Sequence, residues 1–376
     1  MRASSVATKI ALARRARLAR SYTRWISETP AIIASGLPGK RVDAHRAGIR
    51  ITEGMDGVDH NNQRALVRKL TIALLVLLGA VAAFSRLDLL YSGKFFDVTG
   101  RAEWIWAQHR LSLNVPVAFF ATRNFDLPPN RQFTRIKVFG DPEYTLYFNG
   151  AQVGGRRVGD ESTVDVYDVS KLARDRGNRI VIGARSPNGV GGVIASIDVS
   201  GEFQNMFPTG SEWAIVRSWR DDLLVRDPPA TDMASPMRLG RPPIGRWNYL
   251  SRRDGTFTPA PQRIVQARSA IRFKTAIPTI EDRSGVLVVV PRPVSATAYD
   301  FGPIDGRARF TIGYDNGVSR SINVRFANAP SELRTIEGPV EPFVFAAGER
   351  TITDPQERRF RYVMVYGSEA SVTVAQ

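Results

Sequence analysis

Hydrophobic and polar positions give the chain three textures. Residues 28–64 follow no period and are rich in Gly, Pro, Asp and Asn. Residues 70–84, LTIALLVLLGAVAAF, then run without a charge and with one hydroxyl. From residue 95 onward no segment keeps a helical apolar period for three turns. Short β-branched and aromatic runs replace it, punctuated by Gly, Pro, Asn and Asp. The clearest is Tyr144-Thr145-Leu146-Tyr147-Phe148, ending in Asn149-Gly150. Asn and Gly tolerate positive φ, so this pair predicts a two-residue type I′ turn, with a returning strand over 153–158.

Further strands are predicted at 135–139, 162–167, 179–184 and 193–199. A second set falls at 271–277, 285–290, 297–301, 308–314, 319–326, 343–346, 360–366 and 370–374. Short strands at this spacing predict an all-β chain of two tandem β-sandwiches. The boundaries are 92–220 for the first and 263–376 for the second. Residues 221–262 lack alternation, are rich in Pro and Arg, and read as a linker.

The apolar stretch adds a membrane. Arg64, Arg68 and Lys69 precede it, and Ser85 to Tyr91 lengthen it toward an interfacial aromatic anchor. A spanning helix takes about 17–25 residues and an export-signal core about 7–15. Residues 65–91 therefore read as an uncleaved transmembrane signal anchor. Ala80-Val81-Ala82 has the small-x-small form of a cleavage site, which gives a cleaved signal as the second reading; a buried soluble helix is the third. The first two place residues from about 92 onward outside the cytoplasm.

Charge agrees. The chain carries +16, of which 14 Lys/Arg against 5 Asp/Glu in residues 1–69 supply +9 and leave +7 for the rest. Excess basic charge before an apolar segment is what the positive-inside rule produces. Residues 1–64 are expected to be a disordered, basic cytoplasmic tail. The run from Ile10 to Arg20 also fits a basic surface helix or a transit peptide, and Met55 is an alternative start. A pI near 10.6 is shared by nucleic-acid-binding proteins. No zinc-ligand spacing or RNA-recognition signature accompanies it, so nucleic acid is not an expected partner. The absence of cysteine excludes disulfides and thiolate metal sites.

Several motifs recur in a recognisable order. The first block has Ala102-Glu103-Trp104-Ile105-Trp106, then Phe119-Phe120-Ala121-Thr122-Arg123-Asn124-Phe125, then the Asn149-Gly150 strand. Val166-Tyr167-Asp168-Val169-Ser170-Lys171-Leu172 and Gly177-Asn178-Arg179-Ile180 follow. The second block has Tyr299-Asp300-Phe301-Gly302, Gly306-Arg307-Ala308-Arg309-Phe310 and Arg359-Phe360-Arg361-Tyr362-Val363-Met364-Val365-Tyr366-Gly367. Together they resemble the noncatalytic β-sandwich modules of bacterial α-L-rhamnosidases and related glycoside hydrolases. The first block resembles their galactose-binding-like jelly roll. Arg359 stands where that pattern usually has Gly. In those enzymes the catalytic acids lie in a later helical domain, and this sequence stops after the second sandwich, so no catalytic residue carries over.

Residue chemistry narrows the options further. His109 is the one histidine after Tyr91, and no nucleophile elbow accompanies it. No cofactor is expected. A structural Ca²⁺ site from Asp141, Glu143, Asp160, Glu161 and Asp165 is one alternative, against solvated loop carboxylates as the other. Sugar binding needs flat aromatic faces and planar hydrogen-bonding groups. The ligand-binding candidates are Tyr144, Tyr147, Arg156, Arg157, Asp160, Asn188, Trp213 and Trp219, with Trp247 in reserve. Trp104 and Trp106 share a strand face by period two and read first as a core stripe. Arg156 and Arg157 are either a solvated edge or, facing a groove, contacts for an anionic glycan.

The expectation is thus a single-pass protein of the bacterial inner membrane with periplasmic C-terminal domains. Its expected ligand is carbohydrate, with anionic polysaccharide as the candidate class, and no catalysis is expected. A protein scaffold with envelope partners is the alternative reading. A glycoside hydrolase is the third, needing two acids facing across about 5–9.5 Å.

Overall fold

A computed structural model of the chain describes residues 60–109, 114–159, 163–201, 203–247, 250–283, 286–313, 317–334, 338–367 and 369–376. The expectations for residues 1–59, and the candidates Asp160 and Glu161, lie outside the described residues. Packing divides the chain after Ile72. Up to Ile72 the described residues carry the start of helix α1 (His60–Thr99); the rest of α1 and all the strands belong to Ala73–Gln376.

Within α1, Leu66–Arg86 is a 21-residue apolar stretch, none of it buried in the protein. At 1.5 Å per residue it is about 32 Å long, which matches a hydrocarbon core of about 30 Å. Its two hydroxyls bond inward along the helix: Thr71 Oγ1 donates to the Val67 carbonyl and Ser85 Oγ to that of Val81, each at 2.9 Å. Polar groups in an apolar span need such internal partners. The exposure of this stretch removes the reading of a helix buried in the chain's own core.

The described remainder is all-β. The first sandwich begins with β1 (Trp104–Trp106), β2 (Val117–Phe125), β3 (Arg135–Asp141), β4 (Glu143–Phe148), β5 (Ala151–Arg157) and β6 (Thr163–Asp168). It continues with β7 (Asn178–Ser186), β8 (Gly192–Asp198), β9 (Ala214–Val216), β10 (Met233–Ala234), β11 (Met237–Gly240) and β12 (Ser251–Asp254). One six-stranded sheet has the order β11-β1-β8-β3-β6-β12, the other β10-β9-β2-β7-β4-β5. Trp106, Ile136, Val138 and Ile197 from one and Phe119, Leu146, Phe148 and Ile182 from the other fill the core between them. Each such side chain contributes about 1.5–3 kcal/mol on burial. The Asn149-Gly150 turn forms as expected, with φ of 51° and 88°. Asn149 also anchors it, donating to the Leu172 carbonyl at 2.7 Å and accepting from the Arg179 amide at 2.8 Å.

Two features depart from the sequence pattern. Residues 221–262 are not a free linker: they supply β10, β11 and β12, and β11 and β12 form the two edges of one sheet. Strands of two to four residues carry too few positions to show alternation, and an existing edge recruits them by backbone pairing alone. Trp104 and Trp106 also do not share a face. The register shifts between Trp104 and Ile105. Trp106 enters the main core, while Trp104 packs in an outer cluster against Phe139 and Trp247. A β-bulge breaks the two-residue period in this way.

The second sandwich comprises β13 (Ile264–Gln266), β14 (Ser269–Arg283), β15 (Val286–Ile312), β16 (Arg320–Ala327), β17 (Glu341–Phe345), β18 (Thr351–Thr353), β19 (Arg358–Tyr366) and β20 (Ala370–Ala375), with a short helix α2 (Pro330–Arg334). The order is β13-β20-β15-β19-β16-β17, with β14 and β18 also paired to β15. Three predicted runs merge into the 27-residue β15. It pairs β19 up to Gly306 and β20 from Arg307, so one strand serves both layers around Phe310, Phe343, Phe345 and Phe360.

The two sandwiches meet along a packed seam. Phe120, Val181, Val216 and Leu223 of the first cluster with Val344 and Ala346 of the second. The Trp219 amide donates to the Ala347 carbonyl at 2.7 Å, and Arg185 Nε to the Val344 carbonyl at 3.0 Å.

Candidate functional site

The seam is not filled along its whole length. Where β4 and β5 of the first sandwich face β15, β18 and the 348–350 turn of the second, it opens into a cleft of about 510 Å³. Strand parity explains which residues reach it. Tyr144, Leu146 and Phe148 point into the core of the first sandwich, so Tyr147 points the other way. It lines the cleft with Thr145 and with Gln152 from the returning strand. Trp219 lies close by, half-buried against Phe120 at 5.3 Å between ring centroids.

The cleft carries one locked ion pair. Arg185 lies 2.5 Å from Glu349 Oε1, with both side chains at most 6% exposed. Glu349 Oε2 accepts from the Ala346 amide at 2.9 Å. Burial pushes the Glu349 carboxyl above its usual range, against the opposing pull of Arg185 and that amide. Burial also pushes the Tyr147 hydroxyl up to about 12, although the Arg185 charge opposes it. Tyr147 is therefore a neutral hydroxyl at any physiological pH, able both to donate and to accept.

The remaining polar lining is open. Among the described residues, no hydrogen bond or ion pair engages the side chains of Gln152, Asp221, Arg309 or Arg350. Arg309 and Arg350 against Asp221 leave a net positive lining once the Arg185–Glu349 pair cancels. Two aromatic residues, an amide, free guanidiniums and threonine hydroxyls are a set that binds a polar, ring-shaped ligand. Glu349 has both oxygens engaged as acceptors, Oε1 from Arg185 and Oε2 from the Ala346 amide.

The other expected contacts have structural partners. Tyr144 is fully buried, and its hydroxyl bonds Asp165 and, at 3.1 Å, the Tyr167 hydroxyl. Arg156 is buried too, donating to the Thr163 hydroxyl at 2.9 Å and carbonyl at 2.6 Å and lying 2.9 Å from Asp165. Arg157 bonds Glu143 and Glu341 and stacks over Phe343 at 3.7 Å. Trp213 is 2% exposed and donates to the Pro208 carbonyl at 3.0 Å. Asn188 is exposed but serves its own turn, accepting from the Ser186 hydroxyl at 2.8 Å and the Val190 amide at 3.2 Å. Trp247 stacks on Trp104 at 4.4 Å, and His109 Nε2 lies 2.6 Å from the Gly189 carbonyl. Of the expected aromatic contacts, only Tyr147 and Trp219 come together at the cleft.

The described members of the expected calcium set are taken up by cations. Asp141 pairs with Arg246 at 2.7 Å, Glu143 with Arg157 at 2.8 Å, and Asp165 with Arg156 and Arg253 at 2.9 and 2.8 Å. Among the described residues no group of three or more His, Asp or Glu is placed to hold a metal.

Solved structures with a similar course include the α-L-rhamnosidase from Dictyoglumus thermophilum, at 16% identity and a TM-score of 0.42. The α-L-rhamnosidase from Aspergillus terreus matches at 14% and 0.43. Both matches cover 73% of this chain, but only 35% and 36% of those chains. This chain thus spans about a third of their length. The Pleurotus ostreatus lectin, solved in complex with GalNAc, matches at 14% and 0.34, covering 73% of this chain and 77% of the lectin. No protein-family model and no curated protein sequence matches the chain. Superposition at this level transfers no residue role, and the chemistry of the cleft rests on its own side chains.

Proposed function

We propose that the protein is a membrane-tethered, noncatalytic carbohydrate-binding module whose site is the seam cleft, with an acidic glycan as ligand. Helix α1 anchors it, and the sandwiches lie outside the cytoplasm, in the periplasm of a bacterium. One observation carries the reading: Tyr147 and Trp219 sit in a 510 Å³ cleft beside Arg309 and Arg350, whose guanidiniums have no protein partner among the described residues. The aromatic rings take the apolar face of a pyranose, and the guanidiniums take a carboxylate in bidentate fashion. Affinity electrophoresis of the detergent-solubilised full chain through uronate-bearing and neutral polysaccharides tests it. Retardation by the acidic gels, abolished by Trp219→Ala, is expected. Unretarded migration in every gel would end the proposal.

A second reading, a scaffold for envelope proteins, draws on the β14–β15 ribbon. Over residues 286–295 β15 pairs with β14 and, among the described residues, with no third strand, and Val286 and Val289 are 62% and 43% exposed. Apolar residues on an isolated ribbon are a docking surface in want of a partner. Chemical crosslinking from cysteines placed on the ribbon in intact cells checks it: adducts to another envelope protein favour the scaffold, and their absence disfavours it.

A further inference from the structure

A second polar cluster lies in the first sandwich, away from the cleft. Lys137 sits mid-strand on β3, facing away from the main core, and its side chain is 0% exposed. Its cross-strand partner on β8 is Ser196, and Asp198 follows two residues later on the same face. Lys137 Nζ lies 3.0 Å from Asp198 Oδ2 and 3.1 Å from Oδ1, and that carboxylate is 1% exposed.

The chain after β8 doubles back and delivers an asparagine onto this pair. Two backbone bonds, Ile197 amide to Met206 carbonyl at 2.9 Å and Met206 amide to Ile197 carbonyl at 2.7 Å, dock the returning segment. The Asn205 amide donates to Asp198 Oδ1 at 3.0 Å. Asn205 Oδ1 accepts from both Lys137 Nζ and, at 3.1 Å, Ser196 Oγ. Asn205 Nδ2 points to the exposed side, donating to the Phe203 carbonyl at 3.1 Å. The approach is costly in backbone terms. Phe203, Asn205 and Phe207 take φ of 68°, 51° and 50°, a region that disfavours residues with a Cβ. Gly100 makes room, since a Cβ there would stand 2.5 Å from that of Asn205.

The arrangement holds an amine, a carboxylate in contact with it, and a carboxamide whose carbonyl is polarised by two donors. We propose that Lys137 and Asn205 become joined by an intramolecular amide bond, with Asp198 as the proton carrier and Ser196 stabilising the oxyanion. Lys137 passes one proton to Asp198. The freed amine lone pair attacks Asn205 Cγ, and the new C–N bond places negative charge on Oδ1, held by Ser196 Oγ. The carbonyl re-forms, the Cγ–Nδ2 bond breaks, and Nδ2 takes one of the two remaining protons of the attacking nitrogen to leave as ammonia, the other staying as the N–H of the new amide. Asp198 returns its proton to the departing ammonia, which exits as ammonium. No oxidant, metal or cofactor is required. Lys137 and Asp198 are themselves shielded from water, and the fixed contact supplies the effective concentration.

Mass spectrometry of the full chain decides this. A tryptic digest is expected to contain a branched peptide joining the Lys137 segment to the Asn205 segment, lighter by one ammonia than the two linear peptides together. Lys137→Arg and Asn205→Ala are each expected to abolish it and restore the intact mass expected from sequence. Succinimide formation at Asn149-Gly150 or Asn188-Gly189 also loses ammonia, but that loss would persist in Lys137→Arg and gives no branch. Finding separate linear Lys137 and Asn205 peptides in the wild-type digest, or an ammonia loss unaffected by Lys137→Arg, overturns the proposal. The wild-type digest suffices even where a variant does not fold.

Discussion

Arg157 of the first sandwich lies 2.9 Å from Glu341 of the second. The same guanidinium holds Glu143 at 2.8 Å on its own strand pair, and Glu341 is gripped in turn by Arg358 at 2.7 Å. Arg358 closes the chain on Asp354 at 2.8 Å. The neighbouring carboxylates hold the Arg358 charge in place despite its burial. An arginine expected from sequence to be either a solvated edge or a ligand contact is therefore the rivet between two domains.

Arg157→Ala leaves Glu143 and Glu341 facing each other without their shared cation and strips the cover from Phe343. A loss of about 3 kcal/mol is expected, measured by urea unfolding of the full chain in detergent. Arg157→Met keeps the packing and should lose as much of the ionic part while sparing the contact with the ring.

Trp219→Ala removes the aromatic platform of the cleft together with its contact on Phe120 at the seam. Binding of an acidic glycan should weaken by about 2 kcal/mol, roughly thirtyfold, by calorimetric titration. Trp219→Phe keeps a ring against Phe120, so its unfolding midpoint should stay closer to that of the parent than that of Trp219→Ala, separating lost binding from lost packing.

Arg309→Ala and Arg350→Ala each delete a cleft cation that has no side-chain partner among the described residues. Affinity for uronate-bearing glycans should fall by about tenfold per residue, while affinity for neutral glycans is unchanged. Raising ionic strength should reproduce part of the loss in the parent and less of it in the double variant.

Tyr147 gives an alkaline signature. Its folded value of about 12 stands above the ordinary 10.0 because burial disfavours the phenolate. A raised value contributes stability that is complete below pH 10 and is lost as pH climbs toward 12. Ultraviolet titration should show a late-ionising tyrosine that Tyr147→Phe removes, and the variant's stability should be flatter across that window.

The helix span predicts partitioning. The full chain should remain with membranes through high-salt and alkaline carbonate washes and leave only in detergent. Replacing Leu75 and Leu78 with Arg, each costing about 2.5–3.5 kcal/mol at mid-span, should move it to the soluble fraction.

Much of the fold was legible from residue order, and the reason is local. Asn149-Gly150 closes a turn by its own backbone preferences, and the uncharged run in α1 needs no partner to announce itself. Strand parity already separated Tyr144, whose neighbours Leu146 and Phe148 share its face, from Tyr147, although both tyrosines entered as ligand candidates. The rest depended on docking. Arg309, Arg350 and Asp221 are ordinary polar residues along their own strands and turns, and only the meeting of two sandwiches gathers them around Trp219. Arg156 read as a solvated edge or a ligand contact because the carboxylate that buries it, Asp165, lies on a different strand. The linker reading failed where two- to four-residue strands borrow their conformation from an edge.

Strand β15 runs from the free ribbon, through both layers of the second core, to Arg309 at the cleft. It behaves as a tension member. Antiparallel partners flank it and bond perpendicular to its length, so a load on the ribbon along the strand axis meets these bonds in shear, all at once, rather than peeling them singly. A partner holding the ribbon would pull on the same continuous backbone that carries Arg309 at the cleft.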